Sequence, residues 1–147
     1  MAKFKDIIRE LKSGGVGYDI AKVIEQIYRL ETNHFTSRQY IATHSPGMEG
    51  FAETYPYGWI TLDRVLWSKN PDIKPIGLVH FRDNHTGQMR PFLVFKNLRS
   101  AVFTLLGFIN YYGNPYRWNS TDPEKQTEYK YRLSKINTPI VNNIYYE

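Results

Sequence analysis

The chain of 147 residues has no cysteine. That excludes disulfides and every metal site built on thiolates. Histidine is also scarce. His34, His44, His80 and His85 are the four present, and none pair at the spacing of helical zinc ligands, so no metal and no cofactor is expected. No apolar run approaches the roughly 18 residues a membrane-crossing helix needs. Clustered positive charge is missing too. The net charge is +5, which favours approach to anionic polymers, yet no run of five Lys or Arg occurs and no helix reads as a basic recognition element. Nucleic acid is therefore not an expected partner. The first 15 residues carry charges throughout and lack the apolar stretch of a secretory leader, so the expectation is synthesis in the cytoplasm without a signal peptide.

Aromatic side chains are abundant: 12 Tyr, 8 Phe and 3 Trp, or 16% of the chain. Rings fill cores, and they also form stacking platforms for sugars. The length predicts one domain over residues 1–147. Phe4, Ile7, Ile8 and Leu11 predict a short amphipathic helix within residues 1–15, stopped at Gly14 and Gly15. A second helix is predicted from Asp19 to Glu31. Residues 33–74 hold Gly, Pro, Thr and aromatics with little periodicity, apart from Leu62, Val65, Leu66 and Trp67, which suggest one short helix. Residues 76–82 and 88–95 read as strands flanking a polar turn that ends in Gly87, a hairpin in which Pro91 must occupy an edge or a bulge. Asn97 predicts an N-cap for a helix carrying Leu98, Ala101, Val102, Leu105, Leu106 and Ile109 inward, expected to be the central core helix and to end at Gly113. A last helix starts either through Thr121 with Glu124 or through Asp122 with Pro123. It carries Tyr129, Leu133 and Ile136 inward and stops at Pro139, leaving a tail over 138–147. The expected class is mostly α, an α+β arrangement with a helical lobe, a small inserted hairpin and a cleft between them.

One residue breaks the pattern of its own helix. Ile20, Val23, Ile24, Ile27 and Tyr28 mark the apolar face of the second helix, and Glu31 continues that face at 3.6-residue spacing. An ionised carboxylate is costly to bury. Partial burial and the negative end of the helix dipole both favour the protonated form. A carboxylic acid that keeps its proton near neutral pH can protonate a leaving oxygen, as glycoside hydrolysis requires.

Three blocks of sequence then fall into a familiar order. Glu31-Thr-Asn-His-Phe35-Thr-Ser37 is followed by Thr43-His-Ser-Pro-Gly47-Met48. Phe92-Leu-Val-Phe95 runs into Lys96-Asn-Leu-Arg-Ser-Ala-Val-Phe103. Trp118-Asn-Ser-Thr-Asp-Pro-Glu124 precedes Tyr129, Leu133 and Ile136. Together they resemble the glucosaminidase-type branch of the lysozyme-like superfamily over residues 18–137, whose small members occur in bacteriophages and in Bacteroidetes-like bacteria. The resemblance implies a lysozyme-like fold and cleavage of the β-1,4 glycan strand of peptidoglycan, by an endo-β-N-acetylglucosaminidase or a muramidase-like enzyme, with Glu31 as the catalytic acid. It implies action at the bacterial wall, which a protein without a leader would reach through a phage holin, a virion or an attached secretion machine, consistent with a phage-encoded endolysin or a virion-associated lysin. Two departures stand out. His44-Ser45 replaces the usual Asn-Asn pair, and the hairpin has no Glu, Asp83 being its only acidic residue.

The expected substrate contacts are Phe35, Ser45, Gly47, Tyr57, Tyr111, Tyr112 and Trp118. Tyr55, Trp59 and Tyr116 flank them. Candidates for a second carboxylate are Glu49, Glu53 and Asp83, with Asp63 behind them. About 5 Å between two carboxylates means retention, and roughly 6.5–9.5 Å means inversion. With one acid alone, the substrate's N-acetyl group or the 6-hydroxyl of muramic acid would attack, the latter giving a lytic transglycosylase product. The alternative to an enzyme is a lysozyme-like module that binds wall glycan without cutting it, as a phage structural part.

Overall fold

The computed structural model describes residues 4–32, 37–48, 66–82, 86–118 and 120–136. Five helices and one hairpin are described. They are α1 (Phe4–Ser13), α2 (Tyr18–Glu31), α3 (Arg38–Thr43), β1 (Gly77–Arg82), β2 (Met89–Val94), α4 (Leu98–Tyr112) and α5 (Pro123–Ser134), with a short 3-10 turn at Pro71–Ile73 before β1. The class is mostly helical with a two-stranded antiparallel sheet. None of the described helices is long and apolar enough to cross a membrane.

Helix α1 buries Ile7 and Leu11 completely. The chain then turns at Gly14, where an added Cβ would lie 2.5 Å from the tip of the Phe103 ring, so a larger residue there would make that ring shift. Helix α2 departs from the expected one-sided pattern. Ile24, Ile27 and Tyr28 are fully buried as expected, but Glu25 and Gln26 are buried with them, while Ile20 and Val23 are only partly covered. Five consecutive buried residues mean that the middle of α2 is enclosed around its circumference. It packs against α1, α4 and α5, and so shares the centre that the sequence assigned to α4 alone.

Helix α3 lies in the stretch that showed no periodicity. Six residues span under two turns, too few for an amphipathic repeat to register. Its start is nevertheless local chemistry: the Ser37 hydroxyl accepts from the Tyr40 amide at 3.1 Å. The helix expected around residues 62–67 lies largely outside the described residues. Trp67 is described and buried, its Nε1 donating to Thr104 Oγ1 at 3.1 Å.

The hairpin pairs Gly77 with Val94 through Arg82 with Met89. Pro91 stands opposite His80 on a strand that has only one strand partner. The outer edge of the same strand is anchored to the loop after α3: the Leu93 amide donates to the Met48 carbonyl at 2.8 Å, and just beyond the strand the Phe95 amide donates to the Thr43 carbonyl at 3.2 Å. That edge thus has the partners an exposed edge would lack.

Helix α4 begins where expected, with Asn97 Oδ1 accepting from the Ser100 amide at 2.9 Å, and ends at Gly113 in the left-handed region at φ 69°. Its buried Leu98, Ala101, Val102, Leu105, Phe108 and Ile109 form the apolar wall against α1 and α2. Helix α5 uses the second of its two possible starts. Asp122 Oδ1 accepts from the Glu124 amide at 3.0 Å, with Pro123 in the first turn. Tyr129 and Leu133 are buried and Ile136 is partly covered. The helix closes at Ser134, before Ile136, and Pro139 lies outside the described residues.

Candidate active site

Glu31 is the last residue of α2. Thr32, fully buried, caps the helix with its amide on the Tyr28 carbonyl at 3.0 Å. The Ser37 amide donates to the Thr32 carbonyl at 2.9 Å and starts α3. Residues 33–36, between these two bonded groups, lie outside the described residues.

The Glu31 carboxyl is partly buried. Its Oε1 accepts a hydrogen bond from the Tyr129 hydroxyl at 2.7 Å. Tyr129 is 1% exposed, and its ring meets the indole of Trp118 edge to face, centroids 6.0 Å apart. Burial pushes the Glu31 carboxyl above the ordinary carboxylate range. The Tyr129 hydrogen bond and the positive charge of Arg132 pull in the opposite direction, and burial prevails. Tyr129 is pushed far up by its own burial, then by the Glu31 charge, so it stays a neutral donor. The pair is therefore a carboxyl with a raised pKa held by an uncharged phenol. Because Oε1 is occupied as an acceptor, a proton on Glu31 belongs on Oε2.

One turn before Glu31, Tyr28 does a second job. Its ring is fully buried on the apolar face, and its hydroxyl donates to the His44 carbonyl at 3.1 Å. His44 sits at φ 63° and ends α3. Burial depresses its imidazole pKa, favouring the neutral form. The last turn of α2 thus holds the loop 44–48 through Tyr28 and α5 through Glu31.

Several expected substrate contacts are placed differently. Ser45 is fully buried, and its hydroxyl is spent on the turn: it lies 3.1 Å from Thr43 Oγ1 and accepts from the amides of Gly47 at 3.3 Å and Met48 at 3.4 Å. It shapes the loop and offers no free group to a ligand. Gly47 is partly exposed at φ 103°, a conformation that suits glycine. Trp118, expected to stack on sugar, is 6% exposed and buttresses Tyr129 from behind. Tyr111 is 53% exposed, and Tyr112 is partly covered, with Tyr111 edge-on at 4.8 Å and the Arg117 guanidinium over its face at 4.4 Å. Those two tyrosines and Tyr116 remain able to meet a ligand. Phe35, Tyr55, Tyr57 and Trp59 lie outside the described residues, as do Glu49, Glu53, Asp63 and Asp83.

Two of the cavities are lined by described residues. One of about 310 Å³ lies along α4, between Leu66, Asp72, Arg99, Phe103 and Gly107. The other, about 460 Å³ and more open, lies where α4 meets α5, lined by Asn114, Tyr116, Gln126 and Lys130. Neither is lined by Glu31. Among the described residues no three His, Asp or Glu side chains gather as a metal site.

Tyr129 is the residue that sequence reasoning missed. It was read as an inward position of the last helix, without a link to Glu31. The two are 98 residues apart, and no local pattern reports such a contact. No protein-family model, curated protein or solved structure matches the chain.

Proposed function

We propose that this protein cuts the β-1,4-linked glycan strand of peptidoglycan, with Glu31 as the general acid, on a lysozyme-like framework of helices around a hairpin. The observation that carries this reading is the Glu31 carboxyl itself: half-buried at a helix end, raised in pKa by burial, and bonded to a neutral phenol instead of a cation. Such a group keeps a proton at a pH where an ordinary carboxylate has lost it, and can still release it.

In the proposed reaction Oε2 donates its proton to the glycosidic oxygen as the bond to the anomeric carbon breaks. The carboxylate that remains is stabilised by the Tyr129 hydroxyl and by Arg132, the groups that favour its charged form. It can then take a proton from the incoming water. The oxocarbenium-like centre is met by a second carboxylate from Glu49, Glu53 or Asp83, by the substrate's N-acetyl group, or by the 6-hydroxyl of muramic acid. The exposed ring of Tyr111 and the partly covered Tyr112 and Tyr116 supply faces for sugar CH groups. The net charge of +5 favours approach to an anionic wall.

Digestion of purified peptidoglycan followed by mass spectrometry tests the reading. New reducing ends on glucosamine mean glucosaminidase action, those on muramic acid mean muramidase action, and 1,6-anhydro ends mean transglycosylation. Each must vanish in Glu31→Gln. A protein that sediments with walls but releases no fragments would instead be a binding module, and the proposal would fall.

A further inference from the structure

We infer that Tyr129 is the positioning residue of the acid: its hydroxyl, held by the Trp118 edge contact, pins Oε1 of Glu31 and so selects Oε2 as the oxygen that delivers the proton. This rests on Glu31 being the acid, and adds to that reading which group aims it.

Three observations carry the inference. The hydrogen bond of 2.7 Å is well formed for O–H···O and joins two elements far apart in sequence, the last residue of α2 and the middle of α5. The phenol cannot swing away, because its ring is 1% exposed and meets Trp118 at 6.0 Å with the planes 74° apart. Trp118 itself is buried, and its Nε1 has no hydrogen-bond partner among the described residues. A buried donor without a partner costs stability, so polar bonding does not explain the placement of this indole. The packing it gives Tyr129 does.

A carboxyl group can turn about its last torsion and exchange its two oxygens. In solution either oxygen carries the proton. With Oε1 accepting from a fixed phenol, rotation breaks that bond, so one orientation prevails. Misplacement of a catalytic group by about 1 Å costs on the order of a hundredfold in rate, which is why the aim of the proton matters. The charged group acting on Glu31 among the described residues is Arg132, which lies on α5 with Tyr129. Arg29, on the acid's own helix, is paired with Glu25. Removing the Tyr129 hydroxyl withdraws a donor that favours the carboxylate, so the Glu31 pKa rises further. Strengthening the donor lowers it.

The test compares wild type, Tyr129→Phe and a protein with 3-fluorotyrosine placed at position 129 alone, which is isosteric and a stronger donor. Carbon-13 NMR follows the Glu31 carboxyl through a pH titration, and wall lysis is measured across the same range. The titration and the alkaline limb of activity are expected to move up in Tyr129→Phe and down with fluorotyrosine. Turnover should fall roughly tenfold to a hundredfold in Tyr129→Phe with little change in KM. Should Tyr129→Phe fail to fold, the fluorotyrosine protein decides alone. A Glu31 titration that stays in place in the folded substituted proteins overturns the inference. Full activity in Glu31→Gln overturns the reading beneath it, whatever Tyr129 does.

Discussion

The middle turn of α2 and its last turn each take a glutamate out of water and give it a different partner. Glu25 is fully buried and forms an ion pair with Arg29, one turn along the same helix. Glu31 is half-buried and bonded to Tyr129, a neutral phenol from another helix. A permanent cation holds a carboxylate ionised, and an ion so held is a structural part. A phenol stabilises the charge less, so burial wins and the Glu31 carboxyl is held above the ordinary carboxylate range. The same side chain, six positions apart on one helix, meets a cation in one place and a neutral phenol in the other.

Substitutions can break that contrast. The largest effect is expected in Glu31→Gln, where removal of the proposed general acid is expected to lower the proposed wall lysis by roughly a hundredfold to ten-thousandfold, measured as turbidity loss of purified walls, while the fold is retained. Glu25→Ala should do the reverse. It removes the fully buried member of the Glu25–Arg29 ion pair, a loss of about 3 kcal/mol, read as a drop of about 10 °C in Tm. If the proposed activity is present, any protein still folded should keep an unshifted pH profile. Asp122→Ala removes the cap of the helix that carries Tyr129. About 1 kcal/mol, or roughly 3 °C in Tm, is expected, again without a shift in the profile; a shift would mean that α5 as a whole, and not the Tyr129 hydroxyl, tunes the acid.

The smallest effect is in the pH dependence of stability. Glu31 binds its proton more tightly in the folded chain than in the unfolded one. The stability this contributes is complete below the ordinary carboxyl pKa and is lost as pH rises through the raised folded value. Glutamine has no such titration. The Tm of Glu31→Gln relative to wild type should therefore climb as pH increases across that window, followed by thermal denaturation in buffers of matched ionic strength. A constant difference would mean that Glu31 is not perturbed.

Much of the framework could be read without coordinates where the signal is local. Asn97 and Gly113 bracket α4 because a cap acts within three residues and a left-handed C-cap needs glycine. Asp122 with Pro123 opens α5 for the same kind of reason. The hairpin followed from two apolar runs around a polar turn. Helix α3 escaped because six residues carry no repeat, and the burial of Glu25 and Gln26 escaped because periodicity describes one helix face and says nothing of how many neighbours surround it. In the site, Glu31 stood out against an apolar stripe of its own helix, whereas Ser45 and Trp118 were expected to meet a ligand and the structure places both among buried residues. A hydroxyl or an indole has the same symbol whether it faces a ligand or holds a turn.

By itself, then, the order of residues determined which segments coil, where they start, and that a carboxyl group would stand at the border of the apolar face of α2, since each depends on neighbours a few positions away. Only the tertiary structure decided what that carboxyl touches. Tyr129 reaches it across 98 positions, and packing around Trp118 keeps the phenol there. Whether a buried acid keeps or sheds its proton depends on the charge and hydration of the groups within a few ångströms, and those groups come together only when the chain has folded.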